Sequence, residues 1–137
     1  MNGEDFVRIV NEAFTPFLTK LGFSMDPPSI SGRFYHASFT GAKHKVSVSF
    51  EPGDWAFFIF VASLKNGQLS DIDDRLKTPR LSDLNSRFMR MVTNEERAKN
   101  EAAFQTIVPR DDYERVLLEF AKELLLVLPK YLARSGI

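Results

Sequence analysis

His36 and His44 are the only histidines in a chain of 137 residues that contains no cysteine. Most transition-metal sites, and any imidazole acid–base chemistry, would have to be built on these two rings. Both fall in consecutive strand-like segments, 33–39 and 44–50. With an even-length turn between the segments, the rings project from opposite faces of one sheet, and a shared metal site fails on geometry. Neither a metal nor a cofactor is expected.

Carboxylates are plentiful, and Asp71, Asp73 and Asp74 form the densest group, in SDIDDR. The alternation begins like a calcium loop. Arg75 then takes the next ligand position, and both the central glycine and the closing glutamate are missing. A turn or a helix cap explains these acids better. GAKHK, residues 41–45, lacks the spacing and the following helix of a phosphate loop. There is no nucleophile elbow, zinc-protease motif or dinucleotide fingerprint. No catalytic residue emerges, although a site assembled from distant residues leaves no local motif.

Lysine plus arginine equals aspartate plus glutamate, 18 each. No global field recruits nucleic acid or anionic lipid, so neither partner is expected. Residues 75–99 are the one locally basic stretch, and Arg87 and Arg90 sit one turn apart on a predicted helix. There they can grip an anion or an acidic protein, or simply form a solvated face.

These side chains must be carried by elements whose patterns are legible. Phe6, Ile9, Val10, Ala13, Phe14, Phe17, Leu18 and Leu21 follow the three-and-four spacing of one helix face. Pro16 predicts a kink or break in that helix, and Gly22 its stop. Residues 24–32, with Pro27-Pro28, read as a loop. Strands are predicted over 33–39, 44–50 and 55–64, and Asn66-Gly67 turns the chain toward a short fourth strand near Leu69. A helical segment follows from Leu81 to Val92, with Ser82 as its cap. Thr93 and Glu96 form a capping box for the next segment, to about Phe104. The last helix spans about 112–134, with Gly136 beyond its end.

Residues 55–62 are eight consecutive apolar residues, four of them aromatic. A membrane span needs about 20, so this run belongs to a strand covered on both sides. Pairing Phe39 with His44 and Phe50 with Trp55 places Tyr35, Phe39, Val46, Val48, Phe50, Trp55, Phe57, Ile59 and Val61 on one face. That face is the core. The other face collects Phe34, His36, Phe58 and Phe60 among serines. Left bare, its three phenylalanines would expose roughly 500 Å², near the upper range for a monomer's largest patch. Either the chain's own 81–104 region, or the tail of the last helix, covers them, or another protein does. The last helix poses the same question, because Leu118, Leu125 and Leu132 form a second apolar line beside its main stripe. A neighbouring helix or a dimer partner would cover that line.

The expectation is one α+β domain over 1–137: a two-layer antiparallel meander of three or four strands, with an N-terminal helix and C-terminal helices packed on it. The element order is loosely similar to that of small bacterial α+β proteins of the toxin-immunity kind, a likeness that no motif ties to a residue. The start, MNGEDFVRIV, is unlike a signal peptide, and a cytoplasmic location is expected. The function expected is non-catalytic: regulatory or immunity-like binding of another protein, or of a second copy. The binding residues would be Phe34, His36, Phe58 and Phe60 on the sheet, or Arg87 and Arg90 on the helix. The alternative is a small enzyme or small-molecule binder, with a pocket between sheet and helices near Tyr35, His36 and Trp55.

Overall fold

A computed structural model describes residues 1–134; the expected position of Gly136 lies outside the described residues. The chain opens with α1 (Gly3–Ala13), whose start is fixed by a reciprocal cap. Asn2 Oδ1 accepts from the Asp5 N–H at 2.8 Å, and the Asp5 carboxylate accepts from the Asn2 N–H. Pro16 cannot donate back to the preceding turn, so the helix ends and restarts as α2 (Thr15–Lys20) with the proline in its first turn. Gly22, at φ +94°, then stops it.

The meander is β3 (Tyr35–Thr40), β4 (His44–Glu51) and β5 (Ala56–Lys65). Phe39 pairs with Val46 and Phe50 with Phe57, each two residues away from the expected pairing. The reason at the second turn is Trp55. It adopts φ +52° and belongs to the turn, not to the strand, and it is 45% exposed. A slip of two preserves which residues share a face. The core face therefore holds Tyr35, Phe39, Val46, Val48, Phe50, Ile59 and Val61, all buried, with Phe57 partly buried against them.

The sheet has six strands rather than three or four. Asn66 and Gly67, both at positive φ, turn the chain into β6 (Gln68–Leu69) as expected. The expected loop 24–32 instead contributes β1 (Ser24–Met25) and β2 (Ser29–Ile30), which pair with successive parts of the outer edge of β3. Pro27-Pro28 separates the two pieces, because proline supplies no N–H to a ladder.

Helices α1 and α5 (Asp112–Arg134) supply the rings that meet the core face. Phe6 meets Tyr35 at 5.7 Å between ring centroids, Tyr113 meets Phe50 at 5.5 Å, and Phe120 meets Phe57 at 6.0 Å. Helix α3 (Leu81–Phe88) packs on α5 and continues as a 3-10 turn, Met89–Met91. Its cap is at Arg80, not Ser82: the Arg80 N–H donates to Asp83 Oδ2 at 2.9 Å. Helix α4 (Asn94–Phe104) starts at the Thr93–Glu96 capping box, with both bonds formed. It also packs on α5, where Asn100 Nδ2 donates to the Lys122 carbonyl at 3.2 Å. The surplus apolar line of α5 thus has a neighbour within the chain: Leu118 is buried, and Leu125 and Leu132 are partly buried against the core. Each large apolar side chain so buried contributes about 1.5–3 kcal/mol. No helix among the described residues is long and apolar enough to cross a membrane.

Candidate binding groove

The second face of the sheet is where the sequence places most of its candidates, and its middle is polar and self-satisfied. His36 Nδ1 lies 2.8 Å from Ser49 Oγ and 3.5 Å from Ser47 Oγ. Ser38 and Thr40 donate to Asp26 Oδ2 at 2.7 and 2.8 Å, and Lys45 Nζ stands 3.6 Å from the same oxygen. Burial pushes the Asp26 carboxyl up, but those hydroxyl bonds and the Lys45 charge outweigh it and hold the group below its usual value. Burial, and then the Lys45 charge, holds His36 below the ordinary histidine value, with Asp26 opposing.

The aromatics flank this polar seam. The Phe34 ring lies nearly parallel to His36, 6.0 Å away. Phe34 is 39% exposed and Phe58 45%, while Phe60 is partly buried. Among the described residues, every ring contact between a helix and the sheet falls on the core face or at Trp55. The 81–104 region, one of the expected covers, packs on α5, and α3 also meets the sheet at β5.

Beside β5 the surface deepens into a groove of about 490 Å³. Phe57, Phe58, Ile59 and Phe60 all line it. Side chains alternate between faces, so four consecutive strand residues can line one groove only if it runs along the strand's edge. Phe34 and Phe58 wall it on the second-face side; Leu81 and Asn85 of α3 and Phe120 and Glu123 of α5 wall it on the helical side. Asn85 Nδ2 donates to Glu123 Oε1 at 2.8 Å, while Asn85 Oδ1 is buried without a donor. An unpaired buried acceptor costs about 1–3 kcal/mol, and this one stands beside the apolar Leu81 and Phe120 of the same wall.

The six candidates therefore separate. Phe34, Phe58 and Phe60 come together at the groove, and His36 lies beneath Phe34. Arg87 and Arg90 do not join them. The Arg87 guanidinium lies 4.9 Å over the Phe88 ring and 5.7 Å from Tyr131, and Arg90 sits exposed in the 3-10 turn. The alternative pocket near Tyr35, His36 and Trp55 does not form as a unit. Tyr35 is buried in the core, His36 faces the other way, and Trp55 packs on Tyr113 at 5.0 Å. His44 also faces the core, edge-on to Tyr131 at 5.6 Å, opposite in direction to His36. Two of the three clustered aspartates cap local turns: Asp71 accepts from the Asp73 N–H, and Asp74 from the Leu76 N–H. No group of three or more histidine and acidic side chains among the described residues could hold a metal ion.

Sequence reasoning missed the helical wall. Leu81, Asn85, Phe120 and Glu123 read as ordinary positions on amphipathic helices, and only the placement of α3 beside β5 gives them a shared role. One usable signal is Pro79, just before α3. Its carbonyl accepts from the Val61 N–H at 2.9 Å, in the short pairing that precedes the helix. The chain matches no known protein-family model, no curated protein and no solved structure.

Proposed function

We propose that this is a cytosolic, non-catalytic domain that binds another protein through the groove beside β5. One observation carries the reading: Phe34 and Phe58 stay exposed at the mouth of an apolar groove, on a sheet face that meets no helix ring among the described residues. Exposed aromatics next to a recess are the anchors that dominate protein interfaces. The absence of cysteine fits a reducing compartment. A photo-crosslinking amino acid placed at position 58 tests the reading in cells that make the protein. The expected result is one discrete protein adduct, lost on Phe34→Ser and absent when the crosslinker sits at Lys99. A product with the mass of two copies would identify the partner as a second chain. No adduct at position 58 would end the reading.

One observation favours a second reading, a small apolar ligand. The groove volume falls within the range of about 300–1,000 Å³ typical of ligand sites. A thermal-shift screen of small apolar compounds separates the two, since a ligand of this groove would raise the melting temperature of the wild type but not of Phe58→Glu.

A further inference from the structure

The helical wall of the groove carries a charge without an in-chain counterpart. Glu123 of α5 lines it, and no basic side chain among the described residues pairs with that carboxylate. Its position is fixed. Asn85 of α3 donates from Nδ2 to Glu123 Oε1 at 2.8 Å, and Oε2 has no donor among the described residues. Arg80 lines the groove too. Burial raises the Asp83 carboxyl, but the Arg75 bonds, the Arg80 N–H and the charges of both hold it below its usual value. The Arg80 charge therefore has Asp83 as its counterpart, and Glu123 stays unmatched. Leu81 and Phe120 share its wall, with Phe34 and Phe58 across the groove. A carboxylate among such apolar surfaces is screened less than one in open water, and it draws a cation more strongly.

We infer that the partner protein anchors in this groove through an arginine side chain, its stem along Phe58 and Phe120 and its guanidinium on Glu123 Oε2. The inference rests on the protein-binding reading above and names the anchor. Phe34 and Phe58 stand at the mouth and the carboxylate on the opposite wall, so an anchor crosses apolar surface before it delivers a charge. An apolar stem that ends in a cation has that form. Arginine suits it better than lysine. A planar guanidinium stacks on rings, turns several N–H groups toward a carboxylate, and is more weakly hydrated than an ammonium. A wholly apolar anchor would cover Oε2 without giving it a donor, and an acidic one would be repelled. Because Asn85 already holds the carboxylate, little freedom is lost when the guanidinium arrives.

The test pans a display library of short random peptides on the intact domain and makes the enriched peptide synthetically. A second version carries citrulline in place of its arginine, which keeps the shape and removes the charge. The expected peptides share one arginine, and citrulline weakens binding to the wild type by at least about ten-fold. On Glu123→Gln, which keeps an acceptor for Asn85, the two versions should bind within about three-fold of each other. Phe58→Ser should weaken the arginine peptide by at least about ten-fold. Thermal melts verify that both variants are folded. If the enriched peptides depend on Phe58 but share no arginine, or citrulline costs as much on Glu123→Gln as on the wild type, the arginine anchor is overturned and groove binding stands. If no peptide is enriched, or the enriched ones ignore Phe58→Ser, both the inference and the protein-binding reading are overturned.

Discussion

Arg8 and Glu114, 106 residues apart in sequence, form an ion pair that ties the first helix to the last. The Glu114 side chain is 1% exposed and that of Arg8 25%. Glu114 also accepts from the Arg110 N–H at 3.1 Å, so its second oxygen is satisfied as well. Breaking such a pair from one side strands a buried charge. Arg8→Ala is therefore expected to cost about 3 kcal/mol in urea unfolding, and the double replacement Arg8→Met with Glu114→Leu to recover most of it. A double-variant loss equal to the sum of the two single-variant losses would show that the pair does not couple.

Adjacent phenylalanines on β5 should respond oppositely to truncation. Phe57 stacks on Phe50 at 4.4 Å between centroids, whereas Phe58 is 45% exposed on the other face. Phe57→Ala should cost about 3 kcal/mol, the low end for a phenylalanine because the ring is only partly buried. Phe58→Ala should cost under about 0.5 kcal/mol. Urea midpoints of the two variants check the face assignment directly.

His44 predicts a pH dependence. Burial, and then the charge of Lys43, holds its folded pKa below the ordinary histidine value of 6.5. The unfolded chain therefore binds the proton more readily, and stability falls as pH drops below about 6.5. The slope ends once pH passes the folded value. His36, lowered for a similar reason, adds to it. His44→Phe keeps the edge-on contact with Tyr131 and should flatten that part of the curve, which thermal melts across the window will reveal.

Glu96 predicts a second, more acidic window. The Thr93 N–H bond, followed by the Lys130 ammonium at 2.9 Å, lowers its pKa from 4.5 to about 2. A depressed carboxyl stabilises the fold above its unfolded value, and that contribution disappears as pH falls from about 4.5 toward about 2. Carboxyl-carbon NMR should find Glu96 titrating far below the ordinary glutamate value of 4.5, and Lys130→Met should raise it.

The capped helices, the meander and the composition of both sheet faces could be read from the sequence, because apolar spacing and capping boxes are local. The faces survived an incorrect register because both hairpins shift the pairing by two residues, which preserves parity; at the second, Trp55 leaves the strand and Glu51 extends β4 opposite Ala56. Had the left-handed backbone of Trp55 shifted the pairing by one, Phe57 and Phe58 would have exchanged places. Strands β1 and β2 were hidden for a different reason. Two residues carry no period, and Pro27-Pro28 looks like a loop whether or not its flanks are paired. The helical wall of the groove was out of reach altogether. Asn85 and Glu123 are 38 residues apart, and no local pattern tells two helical residues that they will meet beside a strand.

The double proline between β1 and β2 also limits how many chains can join this sheet. It interrupts the strand-like cover on β3, so a continuous ladder cannot extend past that border. The opposite margin is closed in two ways: β6 is only two residues long, and the Phe60–Arg80 bridge leads straight into α3. Borders this short or interrupted are the usual guard against edge-to-edge association, so the domain is expected to resist strand-mediated self-assembly.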